Sequence, residues 1–284
     1  MDTQRFHRFV ILAICLLGPG WLCIPCESRA QRQSGITHNQ PDSVFQVGEE
    51  LTYNVSFFSY DIGRVRIRVT DVVNDSGHTS YRAAAEIDSY RGVPFLNVHA
   101  VYGSKIDAAM YSTWFDARDK EDDRWHEWEY FFEYSKSLLA IREGIWKSDT
   151  VIRRDTLSLD TLSQDGLSLF FLARRYLRTA GKFSIPTYIR EKKGVTFLNF
   201  TGERTNESIE QVRYPIDVIH FNGRAGFVGL YGLTGAFEGW FSNDAARVPI
   251  LAKMKIFIGD IRIELTEWKR PGWSPPEYAR DSER

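Results

Sequence analysis

A short polar segment near the end of the chain combines three side-chain types that are common in active sites. The segment SNDAAR, residues 242–247, places an amide, a carboxylate and a guanidinium between two apolar runs. Ser, Asn and Asp also favour turns, because their short side chains hydrogen-bond nearby backbone groups. Asp244 and Arg247 are close enough in sequence to pair across such a turn, and Pro249 suits the start of a following strand. We interpret the segment as a structured hairpin turn, with a catalytic cluster as the alternative.

An acidic strip, residues 116–129, is the second candidate for chemistry. It reads DARDKEDDRWHEWE, so its carboxylates and His126 are potential oxygen and nitrogen ligands of a metal. A calcium loop needs alternating acidic positions and a turn glycine, and the strip has no such glycine. Arg118, Lys120 and Arg124 are interleaved with the acids and would neutralise the site. A solvated charged loop is therefore the favoured interpretation, and we predict no metal and no other cofactor.

Three arginines alternate along one stretch of the chain, at Arg64, Arg66 and Arg68. On one face of a strand they would form an anion site through charge-assisted hydrogen bonds. In the alternative they belong to a solvated outer face and pair with acids on a neighbouring strand, such as Glu86 and Asp88. We favour this pairing.

Other catalytic patterns are missing from the sequence. It contains no G-x-S-x-G nucleophile elbow and no H-x-x-x-H metal pair. The glycine-rich stretch 226–232 lacks the Lys-Ser/Thr ending of a phosphate-binding loop. A Ser-His-Asp triad stays open, since its members can be far apart in sequence. We predict a non-enzymatic protein.

The first thirty residues have the layout of a secretory signal peptide. Basic residues precede the apolar run 9–17, and small residues at the −3 and −1 positions predict cleavage after Ala30. We therefore expect a signal peptide at residues 1–30 and a flexible leader at residues 31–43. All three cysteines lie within the first thirty residues, so the mature chain would depend on its core rather than on disulfides.

Residues 44–269 form the predicted domain, and the dominant hydrophobic period within it is two. Apolar and polar residues alternate in segments such as 51–57, 63–70 and 248–258, and glycine-containing turn signals separate them. This pattern is typical of antiparallel strands with one buried and one solvated face. Residues 270–284 contain prolines and many charges and are predicted to form an irregular charged tail.

One segment follows a helical period instead. Residues 163–166 offer helix-capping side chains, and residues 167–177 form an apolar face with arginines in the last turns. We therefore predict a mainly β fold. It consists of a large curved antiparallel sheet or barrel-like meander, with one central amphipathic helix packed on its concave face.

Three blocks of the sequence together resemble a known family. The segment 45–63 is similar to an opening motif F-x-V-G-E-x-L-x-Y-x-V…G, and residues 165–174 resemble a central helix motif D-x-L-S-x-x-Y-x-x-R, with Phe171 at the tyrosine position. The segment 240–261 resembles a closing hairpin W-x-S-x-D-x-x-R-x-P…G-x-I. These are motifs of the domain-of-unknown-function 3108 family of bacterial exported proteins. The matching positions, for which we expect structural roles, are Gly48, Glu49, Tyr53, Gly63, Asp165, Ser168, Arg174, Trp240, Ser242, Asp244, Arg247, Pro249 and Gly259.

The resemblance implies an exported, periplasmic protein and brings no catalytic residue with it. A net charge of −1 argues against nucleic acid as a partner. We favour a non-enzymatic envelope protein that binds an apolar or amphipathic ligand, such as a lipid or lipoprotein, and that is not an integral membrane protein after cleavage. One alternative is a hydrolase or lyase of envelope polysaccharide, which needs a pair of carboxylates. The other is an outer-membrane β-barrel, which the central helix and the charged tail disfavour.

Overall fold

The computed structural model describes residues 44–279, except 76, 95, 122, 190–191, 226–234 and 256–258. The predicted signal peptide, its cleavage site at Ala30 and the leader at 31–43 lie outside the described residues, as do most of the glycine-rich stretch and residues 280–284. No helix among the described residues is both long and apolar enough to span a lipid bilayer.

In the described part of the chain, fourteen strands form one antiparallel sheet. The strands are β1 Glu50–Phe57, β2 Tyr60–Asp75, β3 His78–Ser89, β4 His99–Asp107, β5 Ser112–Glu121, β6 Arg124–Glu133, β7 Leu138–Ile145, β8 Val151–Ser158, β9 Gly181–Ile189, β10 Lys192–Glu207, β11 Ile216–Ala225, β12 Gly235–Ser242, β13 Pro249–Lys255 and β14 Asp260–Lys269. A 3₁₀ turn spans Tyr134–Lys136, and the α-helix, α1, spans Ser168–Tyr176. The predicted mainly β fold is confirmed.

The first and last strands meet in the middle of the sheet. The order is β8-β7-β6-β5-β4-β3-β2-β1-β14-β13-β12-β11-β10-β9, so β1 pairs with β14. The free edges are β8 and β9, which are consecutive in sequence, and the sheet is not closed into a ladder between them. We call the gap between these two unpaired edge strands the seam.

Because successive strands are antiparallel, their connections alternate between two ends of the sheet. We call one the helix end. It contains the entry into β1, the exit from β14, and the connections β2–β3, β4–β5, β6–β7, β8–β9, β10–β11 and β12–β13. The other, the hairpin end, contains the remaining connections. The helix lies at the first of these ends, in the β8–β9 connection.

The helix packs its apolar side on the concave face of the sheet. Phe171, Leu172 and Ala173 are buried. The ring of Phe171 stacks on Phe45 at 4.8 Å, and Phe45 stacks in turn on Tyr81 of β3 at 4.1 Å. Fully burying such a side chain contributes about 1.5–3 kcal/mol. The predicted helix on the concave face is therefore present, within one residue of its expected ends at each side.

The prediction that the acidic strip, residues 116–129, is a solvated loop is wrong. The strip forms most of the β5–β6 hairpin. Asp116 pairs with Arg118 Nε at 2.8 Å, and Glu129 accepts a 2.6 Å hydrogen bond from Arg142 Nε. Burial raises the pKa of the Asp116 carboxyl, and the Arg118 charge lowers it. Local alternation did not reveal β5, because its inward-facing positions, Phe115, Ala117 and Asp119, include a carboxylate and charged residues lie between them. Within the described residues, no three His, Cys, Asp or Glu side chains are grouped so that they could hold a metal ion.

The arginine ladder pairs as predicted. Arg64 lies opposite Asp88 and Arg66 opposite Glu86 in the β2–β3 register. The guanidinium of Arg64 is 3.7 Å from Asp88 Oδ2, and Arg66 Nη1 is 3.7 Å from Glu86 Oε2. The ladder is a set of cross-strand ion pairs on the outer face.

The described part of the tail, residues 270–279, packs against the sheet. It has no helix or extended strand, but Glu277 makes an isolated antiparallel bridge to Ile216. The Asp217 N–H donates to the Pro276 carbonyl at 2.8 Å, and the Tyr278 N–H donates to the Pro215 carbonyl at 2.8 Å. Arg270, the first residue of the tail, lies beside the start of β1, because Lys269 at the end of β14 pairs with Glu50.

Replacing Gly63 with alanine should destabilise the sheet by about 1–3 kcal/mol, the usual cost of overpacking. A Cβ at Gly63 would lie 2.6 Å from the backbone carbonyl oxygen of Asp88, which cannot move without shifting β3. The matched control is Gly166→Ala, where a Cβ meets no atom within 4 Å. Urea denaturation of both variants measures the difference. Equal midpoints for the two variants would contradict the close approach of β2 and β3.

Candidate functional site

Residues from each of the three motif blocks meet at the helix end of the sheet. The first of them, Glu49, is placed by a tight turn in which its N–H donates to the Gln46 carbonyl at 2.9 Å. Gly48 adopts φ of +86° in this turn, which residues with a side chain rarely do. The turn directs the Glu49 carboxylate into the protein, where it is 1% exposed.

Two arginines hold the buried Glu49 carboxylate. Arg174 of α1 binds it in a bidentate fashion, with Nη1 to Oε1 at 2.6 Å and Nη2 to Oε2 at 3.0 Å. Arg270, just after β14, hydrogen-bonds Oε2 through Nη1. Both arginines are buried, Arg174 completely. Bidentate guanidinium–carboxylate pairs are among the strongest polar contacts in proteins, and breaking one when it is buried leaves a charge without compensation. This ion cluster ties the helix to both central strands.

The SNDAAR segment joins the same cluster. It lies between β12 and β13, and the Ala246 carbonyl accepts a 3.0 Å hydrogen bond from Arg174 Nη2. Asp244 Oδ1 accepts the hydroxyl of Ser242 and the N–H groups of Ala246 and Arg247, each at 2.9 Å. Its Oδ2 accepts the indole N–H of Trp273 at 2.7 Å. The expected contact between Asp244 and Arg247 is thus made to the arginine backbone. The geometry is that of a fixed turn.

A second buried carboxylate, Asp165, anchors the start of the helix. Its Oδ1 accepts the N–H groups of Leu167 and Ser168, each at 2.7 Å, as in a helix cap. Its Oδ2 accepts the hydroxyls of Ser104 on β4 and Ser112 on β5, each at 2.6 Å. Burial raises the pKa of Asp165, and the two serine hydrogen bonds lower it. This network fixes the helix to the other half of the sheet.

Tyr53 lies beneath the ion cluster and is buried in β1. Its pKa is raised by burial, lowered by the charge of Arg174 and raised by that of Glu49. Its hydroxyl has no hydrogen-bond partner among the described residues. Because Glu49, Arg174 and Asp165 are also buried, the helix end presents no carboxylate or guanidinium of this set to a substrate. The arrangement is suited to holding the fold together rather than to catalysis.

The other motif positions lie outside the ion cluster. Pro249 is the first residue of β13, Gly63 lies in β2 and Trp240 in β12. Gly259 precedes β14 with φ of +85°. Sequence reasoning missed Arg270 and Trp273, which fall in the segment interpreted as a tail, and Ser104 and Ser112, which have no distinctive sequence context.

Two cavities remain as binding candidates. One, of about 30 Å³, lies beside α1 on the concave side. Its lining is Phe115, Ala117, Asp119, Trp128, Tyr130, Gly166, Tyr188 and Ile189. The other, of about 550 Å³, is a groove at the hairpin end beside the β3–β4 connection. The larger of these two spaces therefore does not lie beside the helix.

These features define an open, barrel-like antiparallel sheet whose helix end is held by buried ion pairs. The chain belongs to the DUF3108 family, described as proteins of unknown function, whose model matches residues 52–266. The resemblance seen in the sequence is thereby confirmed.

One solved structure supports the fold. A β-barrel-like protein of domain of unknown function DUF1849 from Brucella abortus aligns with a TM-score of 0.51 at 9% identity, covering 78% of this chain and 97% of that one. A Bacteroides fragilis protein with a YmcC-like fold aligns with a TM-score of 0.30 at 7% identity, covering 79% of this chain and 97% of its own. No curated protein matches the sequence.

Replacing Arg174 with methionine should lower the free energy of unfolding by about 3–5 kcal/mol, because Glu49 loses its bidentate partner in a buried site. Arg66→Met, in the solvated outer ladder, should cost only about 0–1 kcal/mol. Both substitutions remove a guanidinium and keep the aliphatic volume, so urea denaturation isolates the effect of burial. Similar midpoints for the two variants would show that the cluster does not hold the fold.

Asp244→Ala should destabilise the protein by about 2–3 kcal/mol, because it removes the acceptor of four donors, three in the SNDAAR segment and the indole of Trp273. Asp244→Asn should cost less, since its amide oxygen can still accept from the backbone N–H groups. Chemical denaturation gives both values. A variant with wild-type stability and lost function would instead support an active site at this turn.

Proposed function

We propose that this protein is a non-enzymatic, exported envelope protein that binds an apolar or amphipathic ligand, such as a lipid or a lipoprotein acyl chain, on the concave side of its sheet. The signal-peptide layout of residues 1–30 supports export. The observation that carries ligand binding is the aromatic lining of the cavity beside α1, with a single carboxylate, Asp119, among its lining residues. An apolar wall with few polar groups is the usual lining of a small-molecule site.

The cavity must expand to take such a ligand. Its volume of about 30 Å³ has room for about two water molecules and not for an acyl chain. The sheet has a place where it can open, because β8 and β9 do not pair with each other. At this seam the Tyr188 hydroxyl donates to the Ser158 carbonyl at 2.6 Å, and the Tyr188 ring packs edge-on against Phe132 at 6.1 Å. Separating the seam breaks these side-chain contacts without breaking a ladder between the two strands.

The geometry favours binding over polysaccharide hydrolysis. A glycosidase needs two carboxyl groups flanking one cleft. Among the described residues that line the 550 Å³ groove, Asp88 is the one carboxylate. That carboxylate already faces His99 Nδ1 at 2.9 Å and Arg64 Nη2 at 3.7 Å.

Ligand binding is tested with the mature protein purified from the cell envelope. Organic extraction and mass spectrometry should recover a co-purifying lipid, and a fluorescent fatty acid should bind the delipidated protein. Ala117→Trp fills the cavity and should weaken fatty-acid binding at least about tenfold, which corresponds to about 1.4 kcal/mol. Ala236→Trp, at an exposed position of β12, should leave it unchanged.

Trp128→Ala is a second test of the cavity, and unlike Ala117→Trp it adds no volume to the core. It enlarges the same cavity and should preserve or strengthen fatty-acid binding. A wild-type protein that carries no lipid and binds no fatty acid would overturn the proposed ligand. Recovery of the full chain in the cytoplasm of fractionated cells would overturn export.

A further inference from the structure

A row of side chains crosses the outer face of the sheet at the hairpin end. The register places Asp88 of β3 opposite His99 of β4, and Lys120 of β5 opposite Trp125 of β6. Ala100 pairs with Asp119, so His99 and Lys120 are the next neighbours across β4 and β5. Strand alternation puts all four side chains on the face opposite the buried Ala100 and Asp119. The row therefore combines a carboxylate, an imidazole, an ammonium and an indole.

The described residues of the β3–β4 connection line one side of this row and form the groove of about 550 Å³ with it. The first residues of the connection are fixed to the sheet. The Tyr90 N–H donates to the Ile62 carbonyl at 3.0 Å, and the Tyr90 hydroxyl donates to Asn54 Oδ1 at 3.1 Å. Ser89 Oγ accepts the Val98 N–H at 2.9 Å, which ties the two ends of the connection together. The groove is thus preformed, and its volume lies within the range of small-molecule sites, about 300–1,000 Å³.

The charges in the groove favour an anion. Arg91 and Lys120 line it and are exposed. The opposing carboxylate, Asp88, is already balanced by Arg64 and hydrogen-bonded to His99. A guanidinium and an ammonium on one groove can hold a ligand carboxylate through charge-assisted hydrogen bonds.

The indole of Trp125 further restricts the kind of ligand that the groove can bind. Trp125 lines the groove and is half-buried, and its ring contacts Trp146 edge-on at 6.0 Å, which restricts its orientation. A flat indole packs well against the C–H face of a pyranose ring, while the hydroxyls at the ring edge need donors and acceptors. Asp88, Tyr90 and His99 supply such groups along the groove.

We propose that this groove binds an acidic saccharide, with a pyranose unit on Trp125 and its carboxylate held by Arg91 and Lys120. The site is separate from the concave cavity, on the opposite face of the sheet. It gives the protein a second ligand class, an anionic sugar of the kind found in envelope polysaccharides.

The test compares trigalacturonic acid with its methyl ester, which has the same rings and no charge. Isothermal titration calorimetry should give a Kd for the acid at least about tenfold lower than for the ester. Arg91→Ala and Lys120→Ala should each weaken binding of the acid at least about tenfold and leave the ester little changed. Added salt should weaken binding of the acid and not of the ester, because the ion pairs between the acid and the protein are solvent-exposed.

Lys182→Ala is the matched control, since it removes an exposed lysine from β9, outside the groove. It should bind the acid as the wild type does. Trp125→Ala should remove binding of both saccharides. If that variant does not fold, the Arg91→Ala and Lys120→Ala variants decide the test. The proposal is wrong if the wild type binds neither saccharide, if acid and ester bind equally, or if Lys182→Ala weakens binding as much as Lys120→Ala.

Discussion

The buried carboxylate of Glu49 is the constraint on which the rest of the structure depends. A carboxylate at 1% exposure needs positive partners, since an unpaired charge in the interior is strongly destabilising. Its partners come from the helix, through Arg174, and from the segment after β14, through Arg270. The three groups can meet because they all lie at one end of the sheet. The helix and the first residue of the tail are both held by this carboxylate, and the SNDAAR turn joins them through the Ala246 carbonyl, which accepts from Arg174.

Because β1 pairs with β14, the unpaired edges of the sheet are β8 and β9. Exposed edges invite pairing with other chains. β8 is mostly exposed and contains Arg153, Arg154 and Asp155, and such charges discourage edge-to-edge association. The β9 edge is partly covered by the segment before the helix, where the Tyr188 N–H donates to the Gln164 carbonyl at 2.8 Å. The seam is therefore protected without being sealed by a ladder. The two edges thus differ from the helix end, where buried ion pairs connect the helix to the central strands.

The two sides of the same strands have different chemistry. Along β5, Phe115 and Ala117 line the small apolar cavity beside the helix. Lys120 of the same strand belongs to the polar groove on the outer face. Strand alternation makes this division possible, because neighbouring residues point to opposite faces. The two proposed sites therefore lie on opposite faces of the same strands, and neither includes a residue of the buried ion cluster.

Local patterns in the sequence determined many of the strands, the helix, the arginine ladder pairing and the family, because each depends on residues close together along the chain or on adjacent strands. Period-two alternation identifies a strand, and capping residues before an apolar face identify α1. They failed along β5 in the acidic strip, where Asp119 faces inward after Phe115 and Ala117 and breaks the apolar alternation. Tertiary structure alone brought Arg270 to Glu49, across 221 residues, and Ser104 and Ser112 to Asp165. The groove likewise exists only through the register of four strands. Such contacts depend on strand order and register, and no short-range pattern encodes which distant strands will meet.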